Sequence, residues 1–271
     1  MNSLTFWGVQ GSSAGAINEP DGYGTNTPCV SITHNNNLLI FDAGTGIKNL
    51  SNTIGEQEFD RVILFLTHSH WDHIQGFPFF THIYERPTLD VFCHDATHIQ
   101  MLTNQLNGRN FPIWFDDLPC TINPVSDVHQ FHSLFGYSLE FISTNHPGNC
   151  VGYRIKHADF DICYIPDNQL RKTINSEPLI EQFSRFCNGT QILIHDSQFT
   201  EKDMPKKQNW GHSLVLDAFE LAKQSNPQTF VMFHHDQFRQ PGHIESNLKM
   251  CQSKSPGFEV IAAKEYASIQ L

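Results

Sequence analysis

Four potential metal ligands fall within six residues of this chain, in the run Thr67-His68-Ser69-His70-Trp71-Asp72-His73, directly after an apolar segment. That segment, Arg61-Val62-Ile63-Leu64-Phe65-Leu66, is short, apolar and β-branched, the pattern of a buried strand. The ligands therefore begin where a strand ends, in the kind of loop that commonly carries function. Imidazole together with carboxylate suits zinc, manganese or iron, whereas a purely structural zinc site is expected to use thiolates. The nearest cysteine is Cys93. In a chain with 16 histidines in 271 residues, chance clustering or a merely solvated loop is the bland explanation. The dense spacing straight after a strand argues instead for half of a two-metal hydrolytic site.

A composition of 39% hydrophobic and 17% charged residues is that of a folded globular protein. No repeat, low-complexity linker or composition break divides the chain, so one domain over residues 1–271 is expected. The start, Met1 to Gly8, lacks a basic region followed by a long apolar stretch, so no signal peptide or membrane helix is expected and a cytoplasmic location is. Seven cysteines at 29, 93, 120, 150, 163, 187 and 251 are scattered without a Cys-x-x-Cys pair, as reduced thiols would be. A net charge of −11 argues against a large nucleic acid as partner, because phosphate-backbone affinity comes from many Lys and Arg contacts. Small anionic substrates remain compatible, since bound metal ions make a pocket locally positive.

Along the chain, Leu4–Val9, Cys29–Thr33 and Leu38–Phe41 read as strands, the last two as a hairpin turning at His34-Asn35-Asn36-Asn37. A glycine-rich turn, Gly11 to Gly15, and a polar stretch to Asn26 separate the first two. Asp42-Ala43-Gly44-Thr45-Gly46 ends a strand in a sharp turn and lacks the lysine and spacing of a phosphate-binding P-loop. A helix is expected to start over Ile74–His82 and a strand over Leu89–Cys93. Residues 104–127 carry no clean period, and Phe111 to Phe115 suits either a segment over a cleft or ordinary core. Further strands are expected at 152–155, 161–165, 191–194 and 229–233, and a helix over Ser213–Gln224 stopped by Asn226-Pro227. Helix followed by strand at that spacing fits a layered α/β fold.

Three more candidates sit at strand ends. His146 lies in Asn145-His146-Pro147-Gly148, where the proline biases it to extended backbone. Asp167 follows Tyr164-Ile165-Pro166, and His234 follows the strand ending at Phe233, with His235 able to take its role. The bland alternatives are an exposed loop histidine for His146 and a turn cap for Asp167. In order, Asp42, His68/His70/Asp72/His73, His146, Asp167 and His234 match position by position the successive motifs of the metallo-β-lactamase superfamily, which the chain resembles over nearly its whole length. The resemblance implies an α/β four-layer αβ/βα sandwich binding two divalent ions, Zn2+ foremost and Mn2+ as the alternative. It implies His68, His70 and His146 on one metal, Asp72, His73 and His234 on the other, Asp167 bridging, and Asp42 and His235 behind the ligands.

Two further stretches, Leu193-Ile194-His195-Asp196-Ser197-Gln198-Phe199 and Trp210-Gly211-His212-Ser213, resemble motifs of the tRNA 3′-processing endonucleases (RNase Z) and their small phosphodiesterase relatives. By that resemblance Asp196 and His212 form a pair in which His212 gives the leaving alkoxide its proton, while Asp72 and the metals serve the attacking hydroxide. Asp196 stands where that family has Glu. The family's tRNA-gripping arm has no room here, since His146 and Asp167 are only 21 positions apart. The resemblance thus implies a small phosphodiester, specifically a 3′,5′-cyclic nucleotide, as substrate, and often a homodimer. The competing readings are a lactonase or thioesterase, an RNase Z-like nuclease, and a non-catalytic nucleotide or metal sensor.

Overall fold

The computed structural model describes residues 2–15, 22–125, 127–171 and 179–271; residues 16–21 of the expected polar stretch lie outside them. The strands are β1 (Ser3–Gly8), β2 (Cys29–His34), β3 (Asn37–Phe41), β4 (Arg61–Leu66), β5 (Thr88–Cys93), β6 (Thr121–Val125), β7 (Ser138–Ser143), β8 (Val151–Lys156), β9 (Asp161–Ile165), β10 (Ile192–Asp196), β11 (Thr229–Phe233), β12 (Glu259–Ala262) and β13 (Ser268–Gln270). The α-helices are α1 (Ile47–Ile54), α2 (Trp71–Ile74), α3 (His82–Glu85), α4 (Thr97–Thr103), α5 (Val128–Phe135), α6 (Ile180–Phe186), α7 (Met204–Lys207), α8 (Val215–Ser225) and α9 (Pro241–Lys254). The chain forms two compact units: Met1–Ala14 with Gly24–Leu134 and Lys264–Leu271, and Gly15–Tyr23 with Phe135–Ala263.

The first unit is built on a seven-stranded mixed sheet of order β13-β1-β2-β3-β4-β5-β6. Asn35 and Asn36, both at positive φ, make the two-residue turn between β2 and β3 that right-twisted hairpin strands favour. From β3 to β6 the strands are parallel, so the loops after β3 and β4 leave the same edge of the sheet side by side. The central strands are buried on both faces, as their near-continuous apolar runs require. Leu38, Ile40, Leu64, Leu66, Leu89 and Val91 pack with Ile47 and Leu50 of α1 on one face. On the other, Phe65 stacks on Phe41 and meets Phe92 and Phe131. Truncating Leu64 to Ala in such a core costs about 2–5 kcal/mol.

The second unit holds a six-stranded mixed sheet, β12-β11-β10-β9-β8-β7, parallel from β9 to β12. In α8, Val215, Ala218, Phe219, Leu221 and Ala222 are buried with Leu193, Phe230 and Met232 of the strands. Asn226 caps it in the left-handed conformation, its N–H bonded to the Ala222 carbonyl.

Three expectations are corrected. The helix expected over Ile74–His82 ends at Ile74, and a 3-10 turn over Phe77–Phe79 and the separate α3 take its place. Pro78 cannot donate to a helical ladder, and Gly76 sits so close to the Gly44 carbonyl that a Cβ would come within 2.0 Å of its oxygen. The irregular 104–127 stretch contains a strand, β6, whose Pro124 is tolerated because β6 is an edge strand. Within it, Phe111 and Phe115 pack on the core of the first unit, while Trp114 is exposed. The strand expected at 191–194 runs on through Asp196. All seven cysteines are buried and none forms a disulfide. Among the described residues no helix is long and apolar enough to cross a membrane.

Candidate functional site

In the first unit the two adjacent loops bring Asp42 and the histidine motif together. Asp42, at φ 58°, stands at the end of β3, and its N–H bonds to the Phe65 carbonyl of β4. Its carboxylate accepts the Thr67 N–H at 2.9 Å, the Thr67 hydroxyl at 3.0 Å and His73 Nδ1–H at 2.8 Å. Having donated to Asp42, the Thr67 hydroxyl accepts from His68 Nδ1–H at 3.1 Å. One carboxylate and one hydroxyl therefore set the tautomer of two imidazoles, making Nε2 of both His68 and His73 the lone-pair nitrogen, the one that could hold a metal. Asp42, Thr67, His68 and His73 are almost wholly inaccessible to solvent.

His70 precedes α2 in extended backbone, so the chain turns helical at Trp71 and carries Asp72 and His73 on the first turn. The His68 ring lies 4.4 Å from both the His70 and His73 rings. Asp72 Oδ2 accepts the Ser12 N–H at 2.8 Å and lies 3.6 Å from His73 Nε2. The glycine-rich turn after β1 thus holds the aspartate. Gly44 is required by close approach, since a Cβ there would lie 2.3 Å from the Asp72 carbonyl oxygen.

In the second unit the site residues follow different strands. Asp167, Asp196 and His234 come at the carboxyl ends of the adjacent parallel strands β9, β10 and β11, and His146 follows β7. This is the edge where open α/β sheets place ligands. Asp167 is almost completely buried and presents one oxygen to each of two imidazoles: Oδ2 lies 3.3 Å from His146 Nε2, and Oδ1 lies 3.3 Å from His234 Nε2. His146 Nδ1–H donates to the Gly211 carbonyl at 2.9 Å, which makes Nε2, the nitrogen facing Asp167, the one able to hold a metal. Ligand atoms of Asp167, His212 and His234 all lie within 4.8 Å of one another.

His234 takes φ 59° and is fully buried, while its neighbour His235 faces elsewhere, with Nε2 3.0 Å from the Ala263 carbonyl and its ring edge-on to Tyr23. Burial, opposed by that hydrogen bond, lowers His235 to a pKa of about 4. His212 donates from Nδ1 to Asp196 Oδ2 at 2.9 Å. The same carboxylate accepts the backbone N–H of Asn168 at 3.1 Å and of Gln198 at 3.0 Å. Burial, countered by His234 and reinforced by the charge of Asp167, pushes Asp196 up to about 8. A cation held by Asp167 would cancel the contribution of that charge and favour the Asp196 carboxylate.

The donor sets fit divalent metals. His68, His73 and His146 have Nδ1 engaged, Asp72 is already hydrogen-bonded and Asp167 faces two imidazoles, an N/O set suited to zinc or manganese. Sequence reasoning passed over Ser12, Thr67, Asn168 and Ser213, polar residues whose type is ordinary in loops and whose partners are set by the fold.

A family model described as the beta-lactamase superfamily domain matches residues 37–235. The ribonuclease Z of Thermococcus kodakarensis is 20% identical over 276 residues, covering 84% of this chain and 84% of that protein. The crystal structure of the metallo-beta-lactamase fold protein YhfI from Bacillus subtilis is similar with a TM-score of 0.74 at 19% identity, covering 99% of this chain and 98% of the other. A diphosphatase from the PhnP family gives a TM-score of 0.68 at 15% identity, covering 100% and 98%. At these identities the structural likeness is one of fold.

Proposed function

The chain belongs to the metallo-β-lactamase superfamily and is a metal-dependent hydrolase with its α/β fold, and from that premise we propose that it cleaves a small phosphodiester, specifically a 3′,5′-cyclic nucleotide. The family match includes residues of both units, which supports reading them as one catalytic domain. Following the family pattern, His68, His70 and His146 are assigned to one metal, Asp72, His73 and His234 to the other, and Asp167 to both. When bound, two such ions supply charge neutralisation at the phosphoryl oxygens and a nucleophile at neutral pH.

The observation that carries the phosphodiester reading is the buried Asp196–His212 pair. Cleaving a diester leaves an alkoxide that needs a proton, whereas metals alone meet the other demands. With Nδ1 committed to Asp196, His212 delivers that proton from Nε2 as general acid. Asp72, held in place by the Ser12 N–H, is suited to orient the nucleophile. The net charge of −11 and the short His146–Asp167 interval favour a compact substrate over a long nucleic acid. Similarity to a PhnP-family diphosphatase supports small phosphoryl substrates, while the ribonuclease Z relatives favour a nuclease as the second reading.

The deciding experiment incubates protein loaded with zinc, and separately with manganese, with four cyclic nucleotides, a precursor tRNA bearing a 3′ trailer and a lactone. The expected outcome is cyclic-nucleotide hydrolysis, lost in Asp72→Ala and reduced about 10²–10⁴-fold in kcat in His212→Ala. Cleavage of the tRNA alone moves the assignment to the nuclease, and turnover of the lactone alone removes phosphoryl chemistry.

A further inference from the structure

Asn168 lies next to Asp167, is fully buried, and uses every hydrogen-bonding group it has on the elements around it. Its side-chain Oδ1 accepts the N–H of Asn145 at 3.0 Å, the residue before His146. Its Nδ2 donates to His195 Nε2 at 3.2 Å, the residue before Asp196. Its backbone N–H donates to Asp196 Oδ2, the oxygen that receives His212. Its carbonyl accepts the Ser213 hydroxyl at 2.6 Å, the residue after His212.

The orientation of the amide is over-determined. His195 Nδ1–H donates to the Asp196 carbonyl at 2.8 Å, so its Nε2 is the lone-pair nitrogen and requires a donor, and the Asn145 N–H requires an acceptor. Only an amide of this length offers a donor on one side and an acceptor on the other. Aspartate lacks the donor, leucine lacks both, and serine is too short to span them. Gln169 braces the same junction, its Oε1 accepting the Gly211 N–H at 3.1 Å.

We infer that Asn168 is a positioning residue that sets the Asp196–His212 pair and the His146 turn in register with Asp167. This rests on the reading of Asp196 and His212 as the proton-donating pair. It acts through those side chains and does not touch substrate.

The test is Asn168→Asp in the full chain, which keeps the acceptor and loses the donor. Zinc-loaded protein is assayed on the cyclic nucleotide turned over by the wild type, and the metal-free proteins are titrated calorimetrically with zinc. Long-range 1H–15N spectra of histidine-labelled protein report the ring protonation of His195. The inference expects kcat to fall about 10–100-fold with KM within about twofold, the size of losses on removing supports behind ligands. It also expects zinc affinity to fall about tenfold or more and His195 to leave its Nδ1–H tautomer. A folded variant with unchanged kcat, zinc affinity and His195 resonances overturns it.

Should the wild type hydrolyse no diester, the functional reading fails while the spectra and the zinc titration still decide the role of Asn168, by the same two outcomes. Should Asn168→Asp not fold, Ser213→Ala removes the other end of the network. A lower kcat at constant KM then upholds the inference, and unchanged kinetics with unchanged His195 resonances overturn it.

Discussion

The two units assemble their donors in opposite ways. In the first, four donors lie on one short stretch after β4, and a single pair behind them, Asp42 with Thr67, sets two imidazoles. In the second, His146, Asp167, Asp196, His212 and His234 come from five separate segments, and a buried polar network centred on Asn168 joins four of them. A contiguous motif brings its side chains together by local backbone geometry, and a neighbouring strand end need only orient them. A dispersed set needs hydrogen bonds that close only when the sheet is complete.

Breaking the dispersed half at its centre has the largest expected effect. Asp167→Ala removes the carboxylate that faces both His146 and His234, and kcat/KM is expected to fall about 10⁴-fold, as when a group acting as a unit with others is deleted. Metal content by elemental analysis should drop below two per chain. Retention of two metals and measurable turnover would show that the two imidazoles do not depend on it.

A smaller effect is expected behind the contiguous half. Asp42→Ala keeps all four side chains of the run but releases His73 Nδ1 and the Thr67 hydroxyl. Zinc affinity, read by competition with a chelator, is expected to weaken about 10–100-fold. An unchanged affinity would mean that the local motif orients its own imidazoles.

The smallest effect sharpens the comparison through pH. Burial holds His195 at a pKa of about 4, below its ordinary 6.5, despite its bond to the Asp196 carbonyl. Between those values the unfolded chain binds a proton that the folded chain refuses, so stability falls as pH drops from 6.5 towards 4. The contribution is on the order of 1–3 kcal/mol across that window. Denaturant unfolding of the wild type and of His195→Gln at a series of pH values should show a shallower acid loss in the variant. Parallel curves would place the acid sensitivity elsewhere.

Much of this was legible in the sequence because it is local. The strand at Arg61–Leu66, the ligand run after it and the Asp42 turn are written in contiguous residues whose period and composition state their own conformation. The helix α9 went unread because its amphipathic pattern is weak, with only Ile244 and Cys251 buried. The edge strands β6 and β13 are short or carry proline, so their identity comes from the neighbour they pair with. Past Ile74 the Gly76 N–H leaves the helical ladder for the Ala43 carbonyl, a contact between residues 33 positions apart.

By itself the sequence determined the donor chemistry of this protein: which imidazoles and carboxylates stand at strand ends, and in what order. The tertiary structure decided their orientation and partners within each unit. The positive φ of His234 turns that ring towards Asp167 and leaves His235 to the Ala263 carbonyl. Asn168, an unremarkable loop residue in one dimension, becomes the junction of four segments. The physical reason is that a side chain's type is local, whereas the hydrogen bonds that select its tautomer, orientation and partners come from strands that only the folded sheet makes neighbours.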